Sequence, residues 1–149
     1  MLFLDGESFT QGSQPYLFRP ATTSGNDERV ILDVDIEGRR TQAMLDTGAP
    51  YLICAPNLAD RLGLDAAASI APIQLLIRGV AVAGALHRLN LTIRAEQGNE
   101  LTIDATAFVP NAGIPWPAIP SIVGLEGCLE RVRFALDTST DTFYFGTHP

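Results

Sequence analysis

The 149-residue chain has little positive charge and no long apolar segment. Its 10 Lys and Arg residues are outnumbered by 17 Asp and Glu residues, which gives a net charge of −7 and no basic cluster. Nucleic acid is therefore not an expected partner, because binding to phosphates needs concentrated positive charge. No apolar run reaches the ~20 residues of a membrane-spanning helix, so we expect no membrane segment.

Cysteine and histidine are also scarce, with two residues of each: Cys54, Cys128, His87 and His148. Both cysteines stand among apolar neighbours, which favours buried free thiols over a disulfide. A Cys–His nucleophile and a metal centre are poorly supported by so few ligands. We expect no metal and no cofactor. His87 lies in a strand-like segment and is expected at the surface.

The apolar content of 46% is typical of a single globular domain of this length. The first residues, Met1–Asp5, have neither a basic region nor a long apolar region, so no signal peptide is predicted and the cytoplasm is the expected location. Residues 1–28 are predicted to be a partly irregular N-terminal extension, with one edge strand possible at residues 16–18. Residues 29–149 are predicted to form the domain itself.

Short alternating segments dominate that domain. Apolar residues alternate with polar ones at residues 30–36, 89–93 and 101–109, which predicts half-buried strands. Pro56 and Gly63 bracket a segment that predicts one short helical turn. Four prolines within residues 110–120 exclude a central strand or a helix there.

A helix is predicted near the C-terminus, where Leu125, Cys128, Leu129 and Val132 fall at helical spacing. The predicted fold class is therefore mainly β with one short C-terminal helix.

The triplet Asp46-Thr47-Gly48 occurs once, directly after the apolar residues 43–45. A carboxylate beside buried apolar residues is costly unless hydrogen bonds hold it or a function requires it. The glycine allows a tight turn that can present the carboxylate in a cleft. If Asp46 is half of a catalytic pair, the other half must come from a second copy of the chain. The alternative is a structural turn, for which these residue types are also well suited.

A second motif lies further along the chain than the motif Leu45–Ala49. It consists of two apolar residues and a glycine, Ile122-Val123-Gly124, and leads into the predicted C-terminal helix. With both motifs in place, the chain resembles the retropepsin-like aspartic proteases, the single-lobe family that includes the retroviral proteases. The resemblance covers roughly residues 30–146, and the ending Thr142–Gly146 is similar to that of bacterial members. It implies a closed β-barrel of the retropepsin type and a two-fold homodimer with terminal strands at its interface.

The resemblance also implies roles for individual residues. Asp46 would be catalytic, and Thr47, Gly48 and Ala49 would support the active-site loop. Ile122, Val123 and Gly124 are the structural signature, and residues 78–84 are the candidate flap. The candidate substrate contacts are Gly79, Val80, Ala81, Val82, Trp116 and Ile119. A plain hairpin also explains Gly79 and Gly84, and Trp116 and Ile119 can instead cover the end of the barrel.

The implied function is an aspartic endopeptidase that binds an extended polypeptide between the flaps and a shared pair of Asp46 carboxylates. Such a pair holds one proton between two groups and can act as both acid and base. The alternative is a catalytically inactive dimerisation or peptide-binding module. Pro50 supports the alternative, because it removes a backbone donor beside the motif.

Overall fold

The computed structural model describes residues 2–4, 6–22, 25–64 and 68–148. Within them the chain forms mainly strands, together with an α-helix and short 3-10 segments. The strands are β1 (Phe3–Leu4), β2 (Glu7–Ser8), β3 (Gly12–Pro15), β4 (Leu17–Pro20), β5 (Glu28–Ile36), β6 (Arg39–Leu45), β7 (Leu52–Ile53), β8 (Ala71–Ile77), β9 (Val80–Ile93), β10 (Gln97–Gly98), β11 (Leu101–Pro110), β12 (Ser121–Val123), β13 (Val132–Asp137) and β14 (Thr142–Thr147). The helix α1 spans Pro56–Leu62, and a 3-10 turn spans Leu129–Arg131. The prediction of a mainly β chain is confirmed.

Two sheets hold most of these strands. The larger sheet has the order β4-β5-β6-β12-β7-β11-β9-β8, and β5 also pairs with β9, Val34 lying opposite Ile93. The smaller sheet has the order β10-β3-β14-β13, while β1 and β2 pair with each other. Pairing is antiparallel except where β12 meets β6 and β11 meets β7. The region predicted as an extension thus supplies β3 to the smaller sheet and β4 to an edge of the larger one.

The long strand β9 contributes to two cores because its inward face changes along its length. Val82 and Gly84 point inward in its first half, whereas His87, Leu89 and Leu91 are buried in its second half. The first half joins a core that we call the cleft core, made of Ile31, Met44, Ile53, Ile77, Val82, Phe108, Ile119 and Ile122. The second half joins the main core around Leu32, Leu52, Leu91, Phe143 and Phe145.

This change of face explains why the expectation of a surface His87 is wrong. The side chain is only 6% exposed, because the strand has turned its odd-numbered residues inward by that point. Gly84 lies near the same crossover, where an added Cβ would stand 2.7 Å from the Phe108 ring and collide with the Val109 carbonyl. Gly84 therefore allows close packing between β9 and β11.

The short helical turn predicted after Pro56 is confirmed as α1, which buries Leu58 and ends at Gly63 with φ 58°. The predicted C-terminal helix is wrong, since turns and the 3-10 segment occupy that position. Gly127 takes a left-handed φ of 64°, which interrupts α-helical geometry. The N–H of Leu129 reaches back to the carbonyl of Gly124, a wider ring than an α-helix makes.

Both cysteines are buried free thiols, as the sequence predicts. No helix in the described part of the chain is long and apolar enough to cross a membrane.

Candidate active site

The Asp46 turn begins where β6 ends, and three hydrogen bonds hold it. The Asp46 N–H donates to the Val123 carbonyl (3.1 Å), and the Asp46 carbonyl accepts from the Ala49 N–H (3.1 Å). The carboxylate oxygen Oδ1 accepts from the Gly48 N–H at 2.9 Å. This side-chain-to-backbone bond closes an Asx turn, which fixes the orientation of the carboxyl group. Asp46 is half-buried, while Thr47 and Gly48 are exposed on the single chain.

The apolar-apolar-glycine signature packs directly against this turn. Strand β12 runs parallel to β6, with Val123 opposite Leu45. Beyond β12, the Gly124 N–H donates to the Tyr51 carbonyl at 2.9 Å. A Cβ on Gly124 would stand 2.6 Å from the Pro50 oxygen and 2.7 Å from the Ala49 oxygen. Only glycine lets the two segments approach this closely, which explains why the motif needs that residue.

The loop at Pro50 is attached through carbonyl groups on either side of the proline. The Ala49 carbonyl accepts from the Leu125 N–H at 2.8 Å, and the Tyr51 carbonyl accepts from Gly124. Tyr51 adopts a left-handed φ of 54°, an unfavourable conformation for a residue with a side chain. These attachments require no N–H at position 50, so Pro50 is compatible with a well-held loop.

Asp46 lines a cavity of about 350 Å³, within the range of ~300–1,000 Å³ for small-molecule sites. The other lining residues are Arg29, Met44, Gly48, Ala49, Pro50, Ile53, Leu75, Leu76, Ile77, Arg78, Ile119 and Ile122. Asp46 is the one carboxylate in this set. The cavity therefore combines apolar walls with a single acid and two guanidinium groups.

The β8–β9 hairpin forms one wall of the cavity. Its two-residue turn, Arg78-Gly79, has φ values of 49° and 79°, the left-handed geometry favoured in tight hairpins. The wall comes from the β8 side, through residues 75–78. Sequence reasoning did not assign residues 75–77 to the site, although their apolar run directly before the turn was a usable signal. Arg29 was missed as well, and its position in β5 carries no such signal.

Of the predicted flap, residues 78–84, Arg78 lines the cavity, whereas the four predicted substrate contacts lie at Gly79 and on the β9 side of the hairpin. Gly79 and Ala81 are exposed, Val80 is half-buried and Val82 is fully buried in the cleft core. None of these four residues lines the Asp46 cavity. Val82 instead packs in the cleft core.

The Pro-rich loop places its two candidate residues differently. Ile119 is buried and lines the Asp46 cavity. The Trp116 indole N–H donates to the Ile119 carbonyl at 2.9 Å, and its ring lines a neighbouring cavity that also touches Ile119. Trp116 thus holds the backbone of the residue that reaches the site.

The described residues contain no cluster of three or more His, Cys, Asp or Glu side chains placed to hold a metal ion. Burial raises the pKa of the Cys54 and Cys128 thiols to about 12 in each case. Both stay protonated at neutral pH and are therefore poor nucleophiles. Among the groups that line the cavity, Asp46 is the one suited to proton transfer.

Comparison with known proteins gives a family for the sequence and a relative for the fold. The family described as aspartyl protease matches residues 32–109, a span that includes Asp46 and the β8–β9 hairpin. None of the curated proteins matches the sequence. A solved structure with a similar fold is that of a retropepsin-like aspartic protease from Rickettsia conorii, at a TM-score of 0.59 and 17% identity over 94% of this chain and 96% of that chain. At that level of identity, the likeness concerns the fold.

Proposed function

Because the chain belongs to the aspartyl protease family, we propose that it is an aspartic endopeptidase that acts as a homodimer. Asp46 from each subunit activates one water for attack on a peptide carbonyl. The observation that carries this proposal is the placement of Asp46: its carboxylate is fixed by the Gly48 N–H and lines a cavity with no second acid. Such a group is positioned for chemistry but lacks its partner.

Hydrolysis of a peptide by this route needs two carboxylates. One takes a proton from water while the other protonates the carbonyl oxygen, and the pair shares one proton because both cannot ionise side by side. A two-fold axis beside the exposed Thr47 and Gly48 would bring two Asp46 carboxylates together, and no other catalytic residue would be needed. The hydrogen bonds to Val123 would then keep both turns rigid as charge moves.

The dimer contacts are constrained by how the smaller sheet is built. Residues 142–145 of β14 pair with β13 on one side and β3 on the other, so their backbone cannot also bond to a second chain. We therefore propose that β13, an outer strand of that sheet, joins the Thr47 turn at the interface. Leu136 of β13 is 39% exposed and offers apolar surface for this contact. In the larger sheet, pairing of β5 with both β6 and β9 supports the closed barrel that the retropepsin type implies.

The substrate is proposed to bind as an extended chain along β8. This strand pairs with β9 on one side and ends the larger sheet, which leaves its outer edge open to another strand among the described residues. Leu75, Leu76 and Ile119 line the cavity beside that edge. Leu76 is 76% exposed, and such a large apolar side chain gains from being covered by a substrate. No cofactor takes part.

The test is Asp46→Asn, with Asp60→Asn as the control. Asp60 is exposed on α1 and does not line the Asp46 cavity. It also lies outside β13 and the Thr47 turn, so it takes no part in the proposed interface. We expect Asp46→Asn to lower kcat/KM for peptide cleavage by at least ~10²–10⁴-fold, the usual scale for an acid–base group. Asp60→Asn should keep full activity.

Equal activity in the two variants would contradict the assignment of Asp46. If the wild-type protein cleaved no peptide but bound peptides as tightly as Asp46→Asn does, the inactive binding module would replace the peptidase proposal. Thermal unfolding of both variants shows whether a loss of activity reflects a loss of fold.

A further inference from the structure

We propose that the cleft selects polypeptides with a Glu or Asp side chain close to the bond that is cut, and that Arg29 and Arg78 determine this specificity. The inference rests on the proposed peptidase function and names its substrate class. It predicts apolar residues at the cut and an acidic residue near them.

The charge around the cleft is opposite to that of the whole chain. The protein carries a net charge of −7, yet the Asp46 cavity is lined by two arginines and one carboxylate. Arg78 also lines a second cavity together with Arg19, and Arg19 lines a third that shares Ile119 with the first. Neither of these neighbouring cavities is lined by an acidic residue. The three cavities therefore adjoin one another at these shared residues, and we call their combined lining, with three arginines and one carboxylate, the groove.

The arginines of this groove are largely without internal ion pairs. Among the described residues, Arg19 and Arg78 form no salt bridge. Arg29 has one at 3.5 Å to Asp27, whose side chain is 74% exposed. Exposed pairs of this kind contribute little stability, so a substrate carboxylate can replace Asp27 at low cost.

The two arginines that line the Asp46 cavity come from different parts of the fold. Arg78 stands in the two-residue turn of the β8–β9 hairpin, and Arg29 stands near the start of β5. A dimer would assemble two copies of each, four guanidinium groups in all, around an Asp46 pair that carries one negative charge when it shares a proton. A guanidinium binds a carboxylate through two parallel hydrogen bonds, which adds geometric selectivity to attraction.

The experiment uses a set of peptides that are acetylated and amidated, so that no terminal charge contributes. Each pair of peptides differs by Glu against Gln at a single position, scanned over four residues on either side of the cut. We expect the wild-type protein to cleave the best Glu peptide with a kcat/KM about fivefold above its Gln partner, as for one partly exposed charge pair. The preference should shrink at 1 M salt, where the Debye length falls to about 3 Å.

Arg78→Gln and Arg29→Gln should each reduce the preference for Glu, and the double variant should remove it. The control is Arg39→Gln, which makes the same change in charge at an exposed residue that lines none of the three cavities. It should keep the preference of the wild-type protein.

Equal cleavage of Glu and Gln peptides at every position would overturn the inference while leaving the peptidase proposal intact. If no peptide is cleaved, the peptidase proposal fails. The inference is then decided by fluorescence anisotropy, which measures the binding of the same Glu and Gln peptides to the Asp46→Asn variant. Tighter binding of Glu peptides that is lost on adding Arg78→Gln would support it. Equal binding of both peptides, or none, would overturn it.

Discussion

The N–H of Gly124 donates a 2.9 Å hydrogen bond to the carbonyl of Tyr51, and no space remains beside the Gly124 α-carbon for a side chain. This contact joins the end of β12 to the loop that follows Asp46. It also lies next to the bond from the Asp46 N–H to Val123. Two segments that are far apart in sequence thus hold the candidate catalytic turn from one side.

Gly124→Ala is expected to destabilise the protein and to abolish cleavage. Its methyl group would press on the carbonyls of Ala49, Pro50 and Tyr51, and overpacking of this kind typically costs about 1–3 kcal/mol. Urea unfolding measures the loss. The control is Gly38→Ala in the β5–β6 turn, where φ is 72° but nothing lies within 4 Å. It should cost about 1 kcal/mol and leave activity unchanged, whereas full activity in Gly124→Ala would contradict the role of this contact.

Mixing subunits tests whether the active site is shared. When wild-type and Asp46→Asn chains are exchanged in equal amounts, about a quarter of random two-fold dimers carry two Asp46 residues. Activity per total protein should therefore fall to about a quarter, because one carboxylate alone cannot supply both proton transfers. A fall to one half would mean that each chain works alone. Sedimentation under the same conditions should show a dimer.

The cleavage rate should rise and then fall with pH, because activity needs a single proton on the Asp46 pair. A peptide mimic whose hydroxyl replaces the attacking water should inhibit, since it resembles the transition state. Chelators and serine reagents should have no effect. Inhibition by a chelator, with no response to the hydroxyl mimic, would contradict the aspartic mechanism.

The buried thiols predict a loss of stability at high pH. In the folded chain the pKa values of Cys54 and Cys128 are raised by burial to about 12, from an ordinary 9.0. Below pH 9 the folded and the unfolded chain both keep these thiol protons. Above pH 9 the unfolded chain releases them while the folded chain still holds them, which favours unfolding. Their contribution to the free energy of unfolding should therefore be lost as pH rises from about 9 towards about 12.

The pH series is measured by urea unfolding, with the double variant Cys54→Ala/Cys128→Ala as the comparison. The variant should show a smaller decline across this range. Alkylation at pH 8 should be slow in the native protein and fast in urea, because both thiols are fully buried. Rapid alkylation of the native protein would show that the two residues are accessible after all.

Local patterns in the chain predicted several elements well. Alternation over residues 30–36 corresponds to β5, alternation at 89–93 lies within β9, and Pro56 and Gly63 bracket α1. These signals depend on neighbouring residues, which share one strand or one helical turn. The same reasoning was wrong at residues 125–132, because the left-handed Gly127 outweighs the spacing of the apolar residues.

The sequence by itself determined the chemistry of the Asp46 turn. An aspartate at the end of a strand favours a bond from the backbone N–H two positions on, here from Gly48 to Oδ1, and this triplet occurs once in the chain. The tertiary structure alone decided what surrounds it. Pairing between distant strands placed Arg29, Arg78 and the β8 wall on one cavity and turned His87 inward. Such contacts depend on register across the sheets, which no short stretch of sequence encodes.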